Sequence, residues 1–126
     1  MTAKILIVED SPSMRSLVRE TLDRDGYEVT ESADGRHALG LLEGMVPDLI
    51  ITDINMPHLD GLALLREIRR LPSLRFTPVL ILTSESGHDL KESGRAAGAT
   101  GWLVKPFDPD QLRRVVAQVL GPRVRT

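Results

Sequence analysis

The chain has 126 residues, 41% of them hydrophobic, which suffices for one domain with a buried core. Charged residues (27%) nearly balance, to a formal net charge of -2, so no global field points to nucleic acid. Cysteine is absent, which excludes a disulfide framework and thiolate metal sites and suits a reducing compartment.

Met1-Thr2-Ala3-Lys4 leads directly into the apolar run Ile5 to Val8. This run is too short for an export signal and is followed by two acids. No stretch approaches the ~20 apolar residues of a membrane span. The expectation is a soluble, cytoplasmic protein that uses no membrane. After Ser11-Pro12, a helix start signal, Met14, Leu17, Val18, Thr21 and Leu22 recur at helical spacing. Tyr27 to Thr30 alternates and is predicted as an edge strand. Gly35 to Glu43 is predicted as a helix with Gly40 inside it. Leu49 to Ile51 is a second apolar run, and Asp60-Gly61 opens a helical stripe at Leu62, Leu65 and Ile68. Val79 to Leu82 is the third apolar run. His88 to Ala97 is predicted as a helix with Gly94 inside and few large apolar residues beyond Leu90. A helix-interior Gly costs roughly 1 kcal/mol against Ala, so the segment 88–98 is expected to be the loosest helix. Leu103-Val104 is the last apolar run. Leu112, Val115, Val116, Val119 and Leu120 form a final stripe, closed by Gly121-Pro122.

The apolar runs are continuous rather than alternating, as in strands covered on both faces. Strand and helix alternate five times, which predicts an α/β fold with a parallel sheet, helices on both faces and right-handed crossovers. There is no linker and no second domain: residues 1–126 read as one unit, with a core from about 4 to 120 and no output domain.

In open α/β sheets ligands bind beyond the carboxyl ends of the strands. Glu9-Asp10 follow the first strand, Asp53 the third, Thr83-Ser84-Glu85 the fourth and Lys105-Pro106 the fifth. Read singly, each has an ordinary structural role: Glu9-Asp10 or Thr83 as helix caps, Asp53 as a turn residue, Lys105 as a solvated surface lysine. Read together, three carboxylates, a hydroxyl and an ammonium converge on one edge. Crowded carboxylates raise one another's pKa, and a hard cation such as Mg²⁺ resolves the conflict. Lys105 adds a compact positive charge suited to a phosphoryl oxygen; the only other lysines are Lys4 and Lys91. The conjunction points to phosphoryl chemistry on a carboxylate.

The motifs Val8-Glu9-Asp10, Thr52-Asp53-Ile54-Asn55-Met56-Pro57, Asp60-Gly61, Leu82-Thr83-Ser84-Glu85 and Lys105-Pro106-Phe107, in this order, resemble the receiver domain of two-component response regulators. The resemblance spans about Lys4 to Leu120. It implies a flavodoxin-like (βα)5 sandwich with strand order 2-1-3-4-5 and phosphorylation of Asp53 by a histidine kinase. It further implies Mg²⁺ held by Asp10, Asp53 and the backbone carbonyl of Asn55, with Glu9 acting through a water. Lys105 and Thr83 are implied to bind the phosphoryl group, and the Lys105-Pro106 bond to be cis. Asn55 and Glu85 resemble the rate-tuning polar pair of the chemotaxis type, which implies rapid autodephosphorylation. The switch aromatic, usually Tyr or Phe, is here Trp102, a departure that leaves open whether it switches or merely covers the sheet edge. A target is expected at the face formed by residues 88–120. The domain is not expected to be an enzyme beyond its own phosphorylation and dephosphorylation.

The alternatives are a phosphorelay intermediate that passes the group to a histidine phosphotransfer protein, a nucleotide- or flavin-binding domain and an aspartyl-phosphate phosphatase. The turn after the first strand lacks a glycine-rich cradle, against the second, and Asn55 does not fit the third. Arg69-Arg70 and Arg113-Arg114 read as solvated helix positions, so nucleic-acid binding is not expected.

Overall fold

Five parallel strands form one sheet in a computed structural model that describes residues 2–56, 59–84 and 88–121, the side chains of 88–90 excepted. In chain order the elements are β1 (Lys4–Val8), α1 (Pro12–Arg24), β2 (Glu28–Ser32), α2 (Gly35–Leu42), β3 (Leu49–Asp53) and α3 (Gly61–Arg70). A 3₁₀ turn (Pro72–Leu74) follows, then β4 (Val79–Thr83), α4 (His88–Ala97), β5 (Gly101–Val104) and α5 (Pro109–Leu120). The sheet order is β2-β1-β3-β4-β5, the flavodoxin-like arrangement. The alternating segment lies at an edge, as predicted, though its strand runs later, with Tyr27 buried just ahead of it. The 3₁₀ turn was not anticipated. Pro57, Glu85 and Pro122 lie outside the described residues.

The continuous apolar runs fill two cores. Ile5 and Ile7 of β1 pack with Ile51, Leu82, Val18, Leu22, Leu112 and Val116, under α1 and α5. Their neighbours Leu6 and Val8 point the other way, to Ala38, Leu42, Ile50, Leu64, Leu65 and Ile68 under α2 and α3. Neither face of the central strands reaches water, so no polar side chain can sit along them without losing solvation. Charged groups on these central strands are confined to the strand ends and to the loops beyond.

Short polar side chains start the helices. Ser11 accepts from Met14 N, Asp34 from His37 N, Asp60 from Ala63 N and Asp108 from Gln111 N. Each cap satisfies a backbone donor that the helix leaves open. The first helix is therefore capped by Ser11, which frees Asp10 from that duty. Among the described residues no helix is long and apolar enough to cross a membrane.

One reading is corrected. Arg69 is not a solvated helix position but a half-buried brace. Its guanidinium donates to the carbonyls of Leu74 (3.0 Å), Thr77 (2.7 Å) and Gly98 (2.7 Å). These carbonyls are gathered from the 3₁₀ turn, the lead-in to β4 and the end of α4. Helix ends carry open carbonyls and partial negative charge, which a cation complements. Burial lowers the Arg69 pKa from its ordinary value. By contrast Arg70 and Arg114 are exposed, and exposed Arg113 pairs with Asp25 and Asp110.

Gly94 gains a reason that helix propensity does not supply. A Cβ placed there would lie 2.2 Å from Cζ3 of Trp102. The bare backbone of α4 is the seat of the indole ring, which packs onto the α2–α3 core. Propensity alone favours Gly94→Ala by roughly 1 kcal/mol. Overpacking of the ring opposes it by about 1–3 kcal/mol. We expect net destabilisation in urea unfolding, reversed when Trp102→Leu is added; a stabilised Gly94→Ala single variant would show that the seat is not tight.

Candidate functional site

The carboxyl ends of β1, β3, β4 and β5 meet at one edge. Asp53 and Thr83 are the last residues of β3 and β4, rather than lying beyond them, and both are buried. The sheet register sets Asp53 opposite Leu82 and Thr83 opposite Val104. Lys105 N then donates to Thr83 O at 2.7 Å, so the backbone that carries the lysine continues the ladder. The Lys105–Pro106 peptide is cis.

Lys105 Nζ lies 2.8 Å from Glu9 Oε1 and 3.3 Å from Asp53 Oδ2. Glu9 is fully buried, and its second oxygen accepts from Ser11 N at 3.1 Å. Asp53 Oδ1 accepts from Ile54 N at 2.8 Å. Both inner carboxylates are thus fixed by backbone donors on one side and by one ammonium on the other. Asp10 is exposed, and one oxygen from each of Glu9, Asp10 and Asp53 lies within 4.8 Å of the others. Three carboxylates face one ammonium, which leaves negative charge in excess. The donors are all oxygen, the set that suits a hard divalent cation.

Burial pushes the Glu9 carboxyl above its ordinary value; the Lys105 hydrogen bond opposes this, and repulsion from Asp53 is a smaller contribution. Desolvation, more than the carboxylate crowding expected from the sequence, is what shifts it. For Lys105, burial lowers the pKa, but the hydrogen bond and charge of Glu9, with Asp53 behind them, outweigh it and hold the ammonium above its usual range.

Of the other predicted residues, Asn55 follows β3 with its side chain exposed, and Glu85 lies outside the described residues. Trp102 sits three residues before Lys105, turned onto the core and half-buried; its Nε1 is buried with no hydrogen-bond partner among the described residues. The structure also explains Gly61, which the sequence offered only as part of a motif. Gly61 N donates to Ile54 O at 2.9 Å, and a Cβ there would lie 2.3 Å from the Asp53 carbonyl oxygen. Backbone therefore passes against backbone directly behind Asp53. Arg15, which the sequence reading passed over, donates to the Glu9 carbonyl.

The model of the response regulator receiver domain family matches residues 5–117. The chain belongs to this family. Among solved structures, the receiver is similar to the chemotaxis response regulator CheY4 of Vibrio cholerae: 44% identity, 94% of this chain and 99% of that one, TM-score 0.91. It is also similar to the receiver domain of sensor histidine kinase PA1611 of Pseudomonas aeruginosa PAO1, solved with a magnesium ion in its active site cleft: 34% identity, 96% and 99% coverage, TM-score 0.88. Among curated relatives, the transcriptional regulatory protein PdtaR of Mycobacterium tuberculosis is 42% identical over 110 residues, 86% of this chain and 52% of that protein. The receiver spans about half the length of most of the curated relatives it matches.

The Lys105 shift has a pH consequence. Its folded pKa is raised above 10.5, so the Lys105 ion pairs contribute fully below that pH and are lost as pH rises through the folded value. The stability difference between the wild type and Lys105→Met should therefore be constant up to about pH 10 and shrink above it. A difference that, followed by urea midpoints, stays constant as pH rises well above 10.5 would refute the loss of these ion pairs.

Proposed function

We propose that the chain acts as the receiver of a response regulator. It takes a phosphoryl group from a histidine kinase onto Asp53, binds a target while phosphorylated, and loses the group to water quickly. The observation that carries this reading is the Lys105 ammonium 3.3 Å from Asp53 Oδ2, beside an oxygen cluster within 4.8 Å. The magnesium ion in the cleft of the similar PA1611 receiver supports Mg²⁺ here, with Glu9, Asp10, Asp53 and the Asn55 carbonyl to hold it.

In this mechanism one carboxylate oxygen of Asp53 attacks the phosphorus of a phosphohistidine. The O–P bond forms as the N–P bond breaks, and the imidazole keeps the electron pair and takes a proton. Mg²⁺, when bound, would neutralise the developing charge on the phosphoryl oxygens. Ile54 N and the packed backbone behind Asp53 hold the nucleophile in line, which supplies most of what such transfer needs. Lys105 exchanges its contact with Asp53 for one with a phosphoryl oxygen. The Thr83 hydroxyl, at the end of the neighbouring strand, hydrogen-bonds the attached group. Water then attacks the phosphorus, the acyl phosphate P–O bond breaks, and inorganic phosphate leaves the Asp53 carboxylate. Asn55 and Glu85 tune that step.

A phosphoryl group biases two conformations only through contacts that differ between them. Thr83 drawn toward the phosphate and Trp102, beyond it on β5, form the route to the 88–120 face, where the target binds. Likeness to CheY4 supports a chemotaxis-type pathway rather than a relay.

Two outcomes test this. With Mg²⁺ and the partner kinase or acetyl phosphate, the wild type should be labelled and Asp53→Asn should not; retained label rejects the site. The label should decay within minutes, and a lifetime of many hours, or efficient transfer to a histidine phosphotransfer protein, rejects the chemotaxis-type reading. Separately, beryllofluoride with Mg²⁺ should change the fluorescence of Trp102, the chain's one tryptophan. An unchanged spectrum removes Trp102 from the switch.

A further inference from the structure

The two peptides that flank Glu9 are each held by one hydrogen bond. Glu9 N donates to Ser32 O of β2 at 3.0 Å. The Glu9 carbonyl accepts from Arg15 Nη1 at 2.9 Å. Arg15 lies near the start of α1, and its Nε is 3.2 Å from Glu31 Oε1 on β2. The second Glu31 oxygen pairs with Arg19. Glu31 stands opposite Ile7 in the β1–β2 register, two residues from the site. One guanidinium thus joins α1, β2 and the loop that carries the acids, and both Arg15 and Glu31 are only about a quarter exposed (23% and 27%).

Asp10 needs such support. Its carboxylate is exposed and makes no hydrogen bond or ion pair among the described residues, yet it lies within 4.8 Å of the Glu9 and Asp53 oxygens. Its direction is therefore set by the backbone. The Glu9 carbonyl and the Asp10 N–H share one rigid plane, so a hold on the first restricts where the Asp10 Cα can lie. A cation near a helix start also runs against the helix dipole, and α1 has no acid in its first turn. The carbonyl and Glu31 account for its placement.

We propose that Arg15 is a positioning residue for the cation site: braced by Glu31, it grips the Glu9 carbonyl and keeps Asp10 facing Asp53. This rests on the reading of the acid trio as a Mg²⁺ site. Two effects of removing Arg15 have opposite signs. Charge alone makes Arg15→Ala bind Mg²⁺ more tightly, because a nearby positive charge is gone. Loss of positioning makes it bind more weakly, by about tenfold for an outer contact of this kind.

The test is calorimetric Mg²⁺ titration of the full chain as wild type, Arg15→Ala, Arg15→Lys and Asp10→Asn. We expect Arg15→Ala to bind about tenfold more weakly and Arg15→Lys to fall between, since an ammonium can hold the carbonyl but not also fork to Glu31. Arg15→Ala binding as tightly as the wild type, or more tightly, overturns the proposal. Should that variant fail to fold, Arg15→Lys decides, and wild-type affinity there overturns it. Wild-type affinity in Asp10→Asn, or no binding by the wild type, refutes the cation-site reading itself and takes the Arg15 role with it.

Discussion

Burial of both sheet faces is the constraint on which the rest of the molecule depends. β1, β3 and β4 run between two apolar layers, with successive side chains entering opposite cores. A charge midway along any of them would be stranded from water. The strands can carry polar chemistry only where they end, and parallel strands all end on the same side. Convergence of Glu9, Asp53, Thr83 and Lys105 is thus a consequence of the architecture. The loop residues then set how close the groups come.

That convergence creates a problem of its own. Glu9 has no solvent, and burial disfavours its charged form. Lys105 answers by reaching both Glu9 and Asp53, at the cost of partly desolvating its own ammonium. Replacing such a pair with apolar residues is often neutral or stabilising, so stability alone does not account for the cluster. An ammonium held against two fixed carboxylates is the arrangement that the proposed phosphoryl transfer to Asp53 would use.

Much of this was legible in the sequence, for definite reasons. Ile5 to Val8 and Val79 to Leu82 are unbroken apolar runs, so both-face burial and a parallel sheet follow. Asp53 and Lys105 could be placed because strand ends are where such folds keep their chemistry. What escaped depends on backbone acceptors or on tertiary contact. Arg69 and Arg15 bind carbonyls, which every residue has, so no sequence pattern announces the partner. Gly61 was visible as a motif, but the passage of its backbone against Asp53 was not. The expectation about segment 88–98 was argued from helix propensity, which cannot see that Gly94 faces an indole across the gap to β5. Repulsion among crowded carboxylates was expected to raise their pKa values, whereas burial, a property of the folded chain, is the larger cause at Glu9.

The Gly94–Trp102 contact restricts the order in which this protein can change. A side chain at position 94 is blocked while the indole occupies its seat, although it would favour the helix. A smaller aromatic at 102 meets no such barrier and also removes the unpartnered Nε1. Substitution at 102 must therefore come first, and only then does position 94 open to other residues. The two sites form an ordered path: a lineage that fills position 94 after losing the tryptophan must first empty it again before the tryptophan can return.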